Sequence, residues 1–513
     1  MPFPRADARA AHALPSRRPA ALAVLLLAFC GCASVVPRPG STQAADVPAT
    51  WSADALAGQA GATAQAPWWS RFDDALLARF VVEAMQANTS VSSAQAALRQ
   101  ARALRDVAAA GLLPTVGSSA SAQHSTAGIS SGQRSSVNSF NAGLDASWEL
   151  DIFGANRDAL NASDAAARAS AASVGDVQVS VAAEVGLSYL TLRSAQARFA
   201  IAQANLASQL ETLQLTQWRV QAGLLTSLEA EQARAAAEQT RAALPALQTS
   251  IVKARHALAV LTGRPPAGLD SALTEIMPLP QLANDLALSI PAETLRQRPD
   301  VRAAELQVTA ALARVAQADA ARLPSFKLGG SVGLNALTLG TLTNGASVVS
   351  ALLASVSLPV FDGGALRAQV RAQQAGLDQA GSVYQAAVLL ALKDVEDALV
   401  ALSGDRARLL SLQHAAEAAG NAATLARQRY SSGLVDFQTV LETQRTQLST
   451  QDAVASSAAD VSADHVRLYK ALGGGWQPEA SVAVGNPGNP GNPGAPGGAM
   501  QILDHDAART PRS

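Results

Sequence analysis

At a constant offset of 210 residues the sequence repeats its own punctuation. Leu113-Pro114 meets Leu323-Pro324, Gly223-Leu224 meets Gly433-Leu434, and Gly263 meets Gly473. Between these anchors Glu83 meets Glu293, Val91 meets Val301, Ala94 meets Ala304 and Arg219 meets Arg429 without drift. Chance matching of alanine-rich helices would not hold proline and glycine at one offset, so the pattern predicts an internally duplicated unit. The first repeat is placed at 68–284 and the second at 285–478.

Each repeat reads as a helix, a hairpin of strands, a very long helix and a shorter helix. In the first these are a hairpin over 114–152, a long helix over 155–222 and a returning helix over 226–263; in the second, 325–360, 364–432 and 436–472. Ala155 to Ala222 contains no proline and only Gly175 and Gly186. As one helix that span is ~100 Å long, far beyond a globular core. Leu192, Phe199, Leu206 and Leu213 recur in steps of seven, as do Val388, Val395, Leu402 and Leu409, the seam of coiled-coil packing.

Gly223 ends the first long helix, and Thr226 with Glu229 has the spacing of a capping box that starts the next; Gly433 and Asp436 take these places in the second repeat. Pro245 is expected to interrupt the returning helix, which stops near Gly263-Arg264-Pro265-Pro266, about half way back. The helix from Leu76 to Leu112 has the length to cover the other half, so two shorter helices should stack end to end against the long one.

The strands decide the solvent. Phe140, Ala142, Leu144, Ala146, Trp148 and Leu150 alternate with Asn141, Gly143, Asp145, Ser147 and Glu149, and Phe326, Leu328, Val332 and Leu334 alternate with Lys327, Gly329, Ser331 and Gly333. Strands of about ten residues with one apolar and one polar face have the pattern of a transmembrane β-barrel, lipid outside and water inside. A soluble sandwich also buries one face, but the sequence offers no third and fourth hairpin to pack against. The expected strands, 114–124, 138–152, 325–335 and 349–360, are too few to close a barrel, and an open edge in lipid leaves backbone groups unpaired. The chain must therefore oligomerise, to a barrel of eight, twelve or sixteen strands.

The N-terminus supplies an address. Ala20 to Phe29 is an apolar run behind Arg17 and Arg18, too short to span a bilayer and ordered as a secretory signal. Its end holds both cysteines, Cys30 and Cys32, which one intervening glycine keeps from pairing with each other. The stretch resembles a bacterial lipobox with Cys32 as the lipid-bearing residue, and Ala33 and Ser34 then imply sorting to the outer membrane; plain signal cleavage is the alternative. This gives a signal peptide over 1–31, an anchor and linker over 32–67, and a Pro/Gly-rich tail over 479–513 that reads as disordered.

A net charge of −1 gives no nucleic-acid signal. His12, His124, His256, His414, His465 and His505 are scattered without metal-ligand spacing, and lipidation would leave no cysteine nucleophile at position 32, so an enzyme, a metal or a cofactor is not expected.

At this point the motifs name a family. WELDIFG at 148–154, RPDVRAAE at 298–305, PVFDGG at 359–364, VEDAL at 395–399, RYSSGL at 429–434 and ALGGGW at 471–476 resemble the outer membrane efflux proteins of the TolC/OprM type, in the lipid-anchored branch serving resistance-nodulation-division (RND) pumps. The resemblance implies an α+β membrane protein: a homotrimer with a twelve-stranded transmembrane β-barrel, four strands per chain, continuous with a long periplasmic α-helical coiled-coil barrel. It implies an outer-membrane exit duct for drugs or other small toxic compounds, joined through a periplasmic adaptor to an inner-membrane RND pump. A duct for type I protein secretion shares the fold and is the alternative.

The resemblance also assigns residues. Glu442 falls where the family narrows the pore, and Arg445 and Tyr430 where neighbouring helices are tied shut. Asp436 adds a second acidic ring or serves as a helix N-cap. The turns at Gly223-Leu224 and Gly433-Leu434 are the expected adaptor-contact tips.

Overall fold

The computed structural model describes residues 68–128, 134–269, 273–282, 295, 298–343, 345–474 and 476. The signal peptide, Cys32, the linker to Pro67 and the tail from residue 479 lie outside the described residues.

A 3-10 turn at Trp68–Phe72 leads into α1 (Ala75–Ala87) and α2 (Thr89–Ala110), then the strands β1 (Thr115–Gly128) and β2 (Arg134–Leu150), the long α3 (Ala155–Gln221) and α4 (Ser227–Leu261). The second half follows as α5 (Pro299–Ala320), β3 (Ser325–Ala336), β4 (Val348–Ser357), the long α6 (Ala365–Ser431) and α7 (Phe437–Ala471). The 210-residue offset governs the elements themselves. α2 and α5 are 22 residues each, α3 and α6 are 67 each, and α4 and α7 are 35 each.

The shorter helices stack end to end along the long ones, and the junctions are chemically specified. Asn88 caps α2 by accepting from the Ser90 amide at 2.8 Å, while its Nδ2 donates to the last carbonyl of α4, Leu261 O, at 3.0 Å. In the second half Arg298 stands 210 residues on, and its Nη1 donates to Ala471 O at the end of α7, at 2.9 Å. In both halves one side chain at a helix start satisfies an orphan carbonyl at the end of the helix it abuts.

Two expectations are corrected. The helix expected from Leu76 to Leu112 is two, α1 and α2, because the extended backbone of Asn88 ends the first and its side chain caps the second. Pro245 does not interrupt the returning helix; α4 runs unbroken from Ser227 to Leu261 with the proline inside it. The ring removes the bond to the Arg241 carbonyl, but both residues are on the exposed face, where water reaches that carbonyl. Ala233, Ala236, Ala237 and Ala254 remain buried on the packed face.

The long helices pack through small side chains. Ala162, Ala165, Ala169, Ala172, Gly175, Ala182 and Gly186 are all buried along α3, which allows close helix approach. Of the heptad residues, Leu192, Val388, Val395 and Leu402 are buried, while Phe199, Leu206, Leu213 and Leu409 are half-buried. The main core gathers around the middle of α3, where Trp68, Leu77, Phe80, Tyr189, Leu190 and Leu258 meet. Trp68 stacks on Tyr469 of α7 with ring centres 5.9 Å apart, so the last helix closes the first core. Among the described residues no helix is long and apolar enough to cross a membrane.

The sheet is antiparallel throughout, in the order β1-β2-β3-β4. The first hairpin extends further than expected, because β1 continues through a Ser/Thr-bearing stretch to Gly128 and pairs residue for residue with β2 from Arg134.

Candidate functional site

The two ends of the molecule that bear on function are the helix-turn-helix tips and the sheet. At each tip the long helix closes with a glycine in the left-handed region, Gly223 at φ 73° and Gly433 at φ 75°. The amide of Leu224 donates to Arg219 O and that of Leu434 to Arg429 O, both at 2.8 Å, and the glycine amides donate to Val220 O and Tyr430 O. This double bond pattern requires the left-handed residue and turns the chain sharply. It leaves the Leu224 and Leu434 side chains exposed at the tips, at 72% and 74%.

Thr226 and Asp436 start the returning helices. The Thr226 hydroxyl pairs with Glu229, and this bond holds the Glu229 carboxyl below its ordinary range. Asp436 accepts from the Thr439 side chain and from the Thr439 amide at 2.9 Å, which lowers its pKa in the same way. Asp436 is thus engaged as an N-cap.

The remaining gate candidates separate into two groups. Tyr430 is buried, with its ring 5.6 Å from Phe437 and under the Arg219 guanidinium at 4.7 Å. Its hydroxyl has no hydrogen-bond partner among the described residues. Glu442 and Arg445 are exposed on α7 and form no ion pair with each other or with any other described residue, so the intrahelical pair that their i, i+3 spacing allows is not made.

Arg219 is the residue that sequence reasoning missed. Besides covering Tyr430, it donates to Tyr430 O at 3.3 Å and Ser431 O at 3.2 Å, tying the first hairpin to the last turn of α6. Arg198 with Asp452, at 2.7 and 3.0 Å, and Arg427 with Ser208, at 2.8 Å, add further ties between the hairpins. The 210-residue match of Arg219 to Arg429 marked the position but not its partner.

At the other end the sheet register sorts the faces. Leu144 and Val332 are opposite one another, as are Trp148 and Leu328, and Asp145 and Ser331 lie together on the other face. Gly143 and Gly333 pair so closely that a Cβ at 333 would stand 2.9 Å from Ala142 O. β1 and β4 are the sheet's two edges. β4 departs from the expected alternation: Val348, Leu352 and Val356 point to the apolar face, and Val349 and Leu353 to the polar one.

The model of the family described as "Outer membrane efflux protein" matches this chain at residues 80–264 and again at 290–474. This chain belongs to the outer membrane efflux protein family.

The pyoverdine export outer membrane protein OpmQ of Pseudomonas putida is 33% identical over 468 residues, covering 89% of this chain and 97% of OpmQ. The outer membrane protein OprJ of Pseudomonas aeruginosa is 31% identical over 474 residues, covering 91% and 97%. Among solved structures the outer-membrane channel OprN superposes with a TM-score of 0.79 at 36% identity, covering 83% of this chain and 97% of OprN. The protein is an outer-membrane efflux duct.

In this efflux protein the motifs have structural work. Asp151 of WELDIFG accepts from the Asn156 and Arg157 amides at 3.0 and 2.9 Å, and Asp362 of PVFDGG from Gly364 and Leu366 at 2.8 and 2.7 Å. Each caps a long helix where it leaves the sheet, past a left-handed glycine, Gly154 or Gly364. Trp148 donates to Leu112 O at 3.0 Å and pins the same junction. Arg298 of RPDVRAAE is buried and bridges Asp300 at 2.7 Å and Asp394 at 3.2 Å. Burial alone would raise the Asp300 pKa, but the Arg298 hydrogen bond and charge outweigh it and hold that carboxyl below its ordinary range.

Proposed function

We propose that three copies of this chain assemble into a twelve-stranded β-barrel in the outer membrane, continuous with a periplasmic barrel of long helices. The observation that carries the reading is a four-stranded sheet with two free edges joined directly to two 67-residue helices. Each edge presents unpaired amides and carbonyls that lipid cannot satisfy, so β4 of one copy pairs with β1 of the next until the sheet closes. The equal element lengths support an internally duplicated chain, giving the helical barrel a near-regular wall.

In this assembly Cys32 bears the lipid anchor, and the duct is a passage rather than an enzyme, with no cofactor beyond that lipid. The exposed tips Gly223-Leu224 and Gly433-Leu434 receive the hairpins of a periplasmic adaptor, which couples the duct to an inner-membrane RND pump. Glu442 and Arg445, exposed and unpaired in the protomer, are free to meet their counterparts across the threefold axis and close the inner end. Threefold carboxylates there favour cations. Tyr430 contributes to the gate through the packing of its own protomer, beneath Arg219. The exported compounds are small toxic molecules chosen largely by the pump.

A photo-crosslinker at Leu434 in living cells, with the captured partner identified by mass spectrometry, tests the assignment. Capture of an adaptor of an RND pump is expected. Capture of an adaptor of an ATP-driven exporter would move the duct to type I protein secretion.

A further inference from the structure

The polar face of the sheet carries an apolar surface that its architecture does not require. Leu353 lies opposite Gly329, and Val349 opposite Gly333, on the face shared with Asp145 and Lys327. They are 65% and 56% exposed. The equivalent positions of the first hairpin, 210 residues earlier, are Gly143 and Ser139, so a strand in the same role manages with a polar or bare surface. Gly329 and Gly333 bring no side chains, so no cross-strand side chain from β3 covers the two apolar residues. The hairpin that bears them ends in exposed Leu337 and Leu339.

Asp145 gives this surface its sign. It shares a row with Ser331 and Ala351, between the rows of Val349 and Leu353. Its carboxylate stands over Gly117 and makes no ion pair among the described residues, whereas Glu149 is neutralised by Lys327 at 3.4 Å. β2 and β4 are separated by two strand spacings, roughly 10 Å.

We propose that the lumen face of β4 is a passage subsite for amphiphilic organic cations, whose apolar part rests on Val349 and Leu353 while the ammonium group faces Asp145. The subsite rests on the barrel reading above, which makes the Asp145 face the lumen. A neighbouring strand added at the β4 edge pairs its backbone and leaves this face open. An apolar solute without charge would gain only the Leu353 side, and an anion would be repelled by Asp145.

The test is current block of the purified full-length protein in planar lipid bilayers, with octyltrimethylammonium as the probe and tetramethylammonium and octanesulfonate as controls. Octyltrimethylammonium is expected to block at concentrations where both controls do not. Its half-blocking concentration should rise by about five-fold or more in Leu353→Ser and in Asp145→Asn, as one apolar contact or one charge is lost. Val349→Thr, which keeps shape and strand preference, should do the same, and the open current of each variant in potassium chloride, recorded before the probe is added, reports an assembled channel. Equal block of wild type and all three variants, or equal block by octanesulfonate, would overturn the subsite while leaving the duct intact. Absence of any bilayer current from wild type would overturn the barrel reading and the subsite together.

Discussion

The indole of Trp476 lies over Gly175 of α3 with no room for a side chain there. A Cβ added at Gly175 would stand 2.2 Å from the indole Nε1 and 2.5 Å from Cδ1. Gly474, at φ 60°, makes a similar approach to Val179, 2.9 Å from the Cβ it lacks. Gly175 on the long helix and Gly474 of ALGGGW thus let the end of the second half clasp the long helix of the first.

Gly175→Ala should therefore cost about 1–3 kcal/mol, the range for overpacking a filled site. The same substitution in a Trp476→Ala background should cost far less, because the clash has been removed. Thermal unfolding of the four proteins of this cycle gives the coupling; additive costs would mean that the two residues do not meet.

Arg219→Ala should loosen the tip of the second hairpin without affecting the sheet. It removes two hydrogen bonds to carbonyls at Tyr430 and Ser431 and the guanidinium over the Tyr430 ring. Hydrogen exchange at the Gly433 and Leu434 amides should speed up by about ten-fold or more, as for the loss of one to two such interactions. Exchange unchanged from wild type would show that the turn holds without Arg219.

The double variant Glu442→Ala with Arg445→Ala should open the periplasmic end. Cells carrying it are expected to become sensitive to vancomycin, and the purified channel to conduct more in bilayers. Normal vancomycin resistance with unaltered single-channel conductance would remove these residues from the gate.

Asp464 should make stability depend on pH in the direction opposite to an ordinary carboxylate. Burial pushes its carboxyl above the usual range, Arg467 at 2.6 Å opposes this and Asp405 adds to it. A raised folded-state value means the neutral form is favoured in the fold. The contribution to stability is complete below the ordinary value of 3.8 and is lost as pH rises through the raised one. Asp464→Asn never ionises, so its melting temperature relative to wild type should be highest near neutral pH and fall steadily on acidification. A difference between the two that does not change with pH would contradict the buried, raised carboxyl.

Much of the architecture was legible because its signals are local. The left-handed turns at Gly223 and Gly433, the caps at Thr226 and Asp436, and the alternation along β2 and β3 each depend on a few neighbouring residues. The elements then recur at the 210-residue offset, down to equal lengths of the two long helices. Tertiary structure decided what depends on partners far apart in the chain. Packing of its small-residue face held α4 through Pro245. Arg219 found Tyr430, Arg298 found Ala471 and Trp476 found Gly175, pairs that no spacing announces. Local periodicity could place an apolar residue on one face of β4, but only the register against Gly329 and Gly333 put Leu353 and Val349 on the side of Asp145. A chain encodes its turns and faces within a few residues, whereas its long-range contacts form only when the helices and strands that hold the partners have already packed.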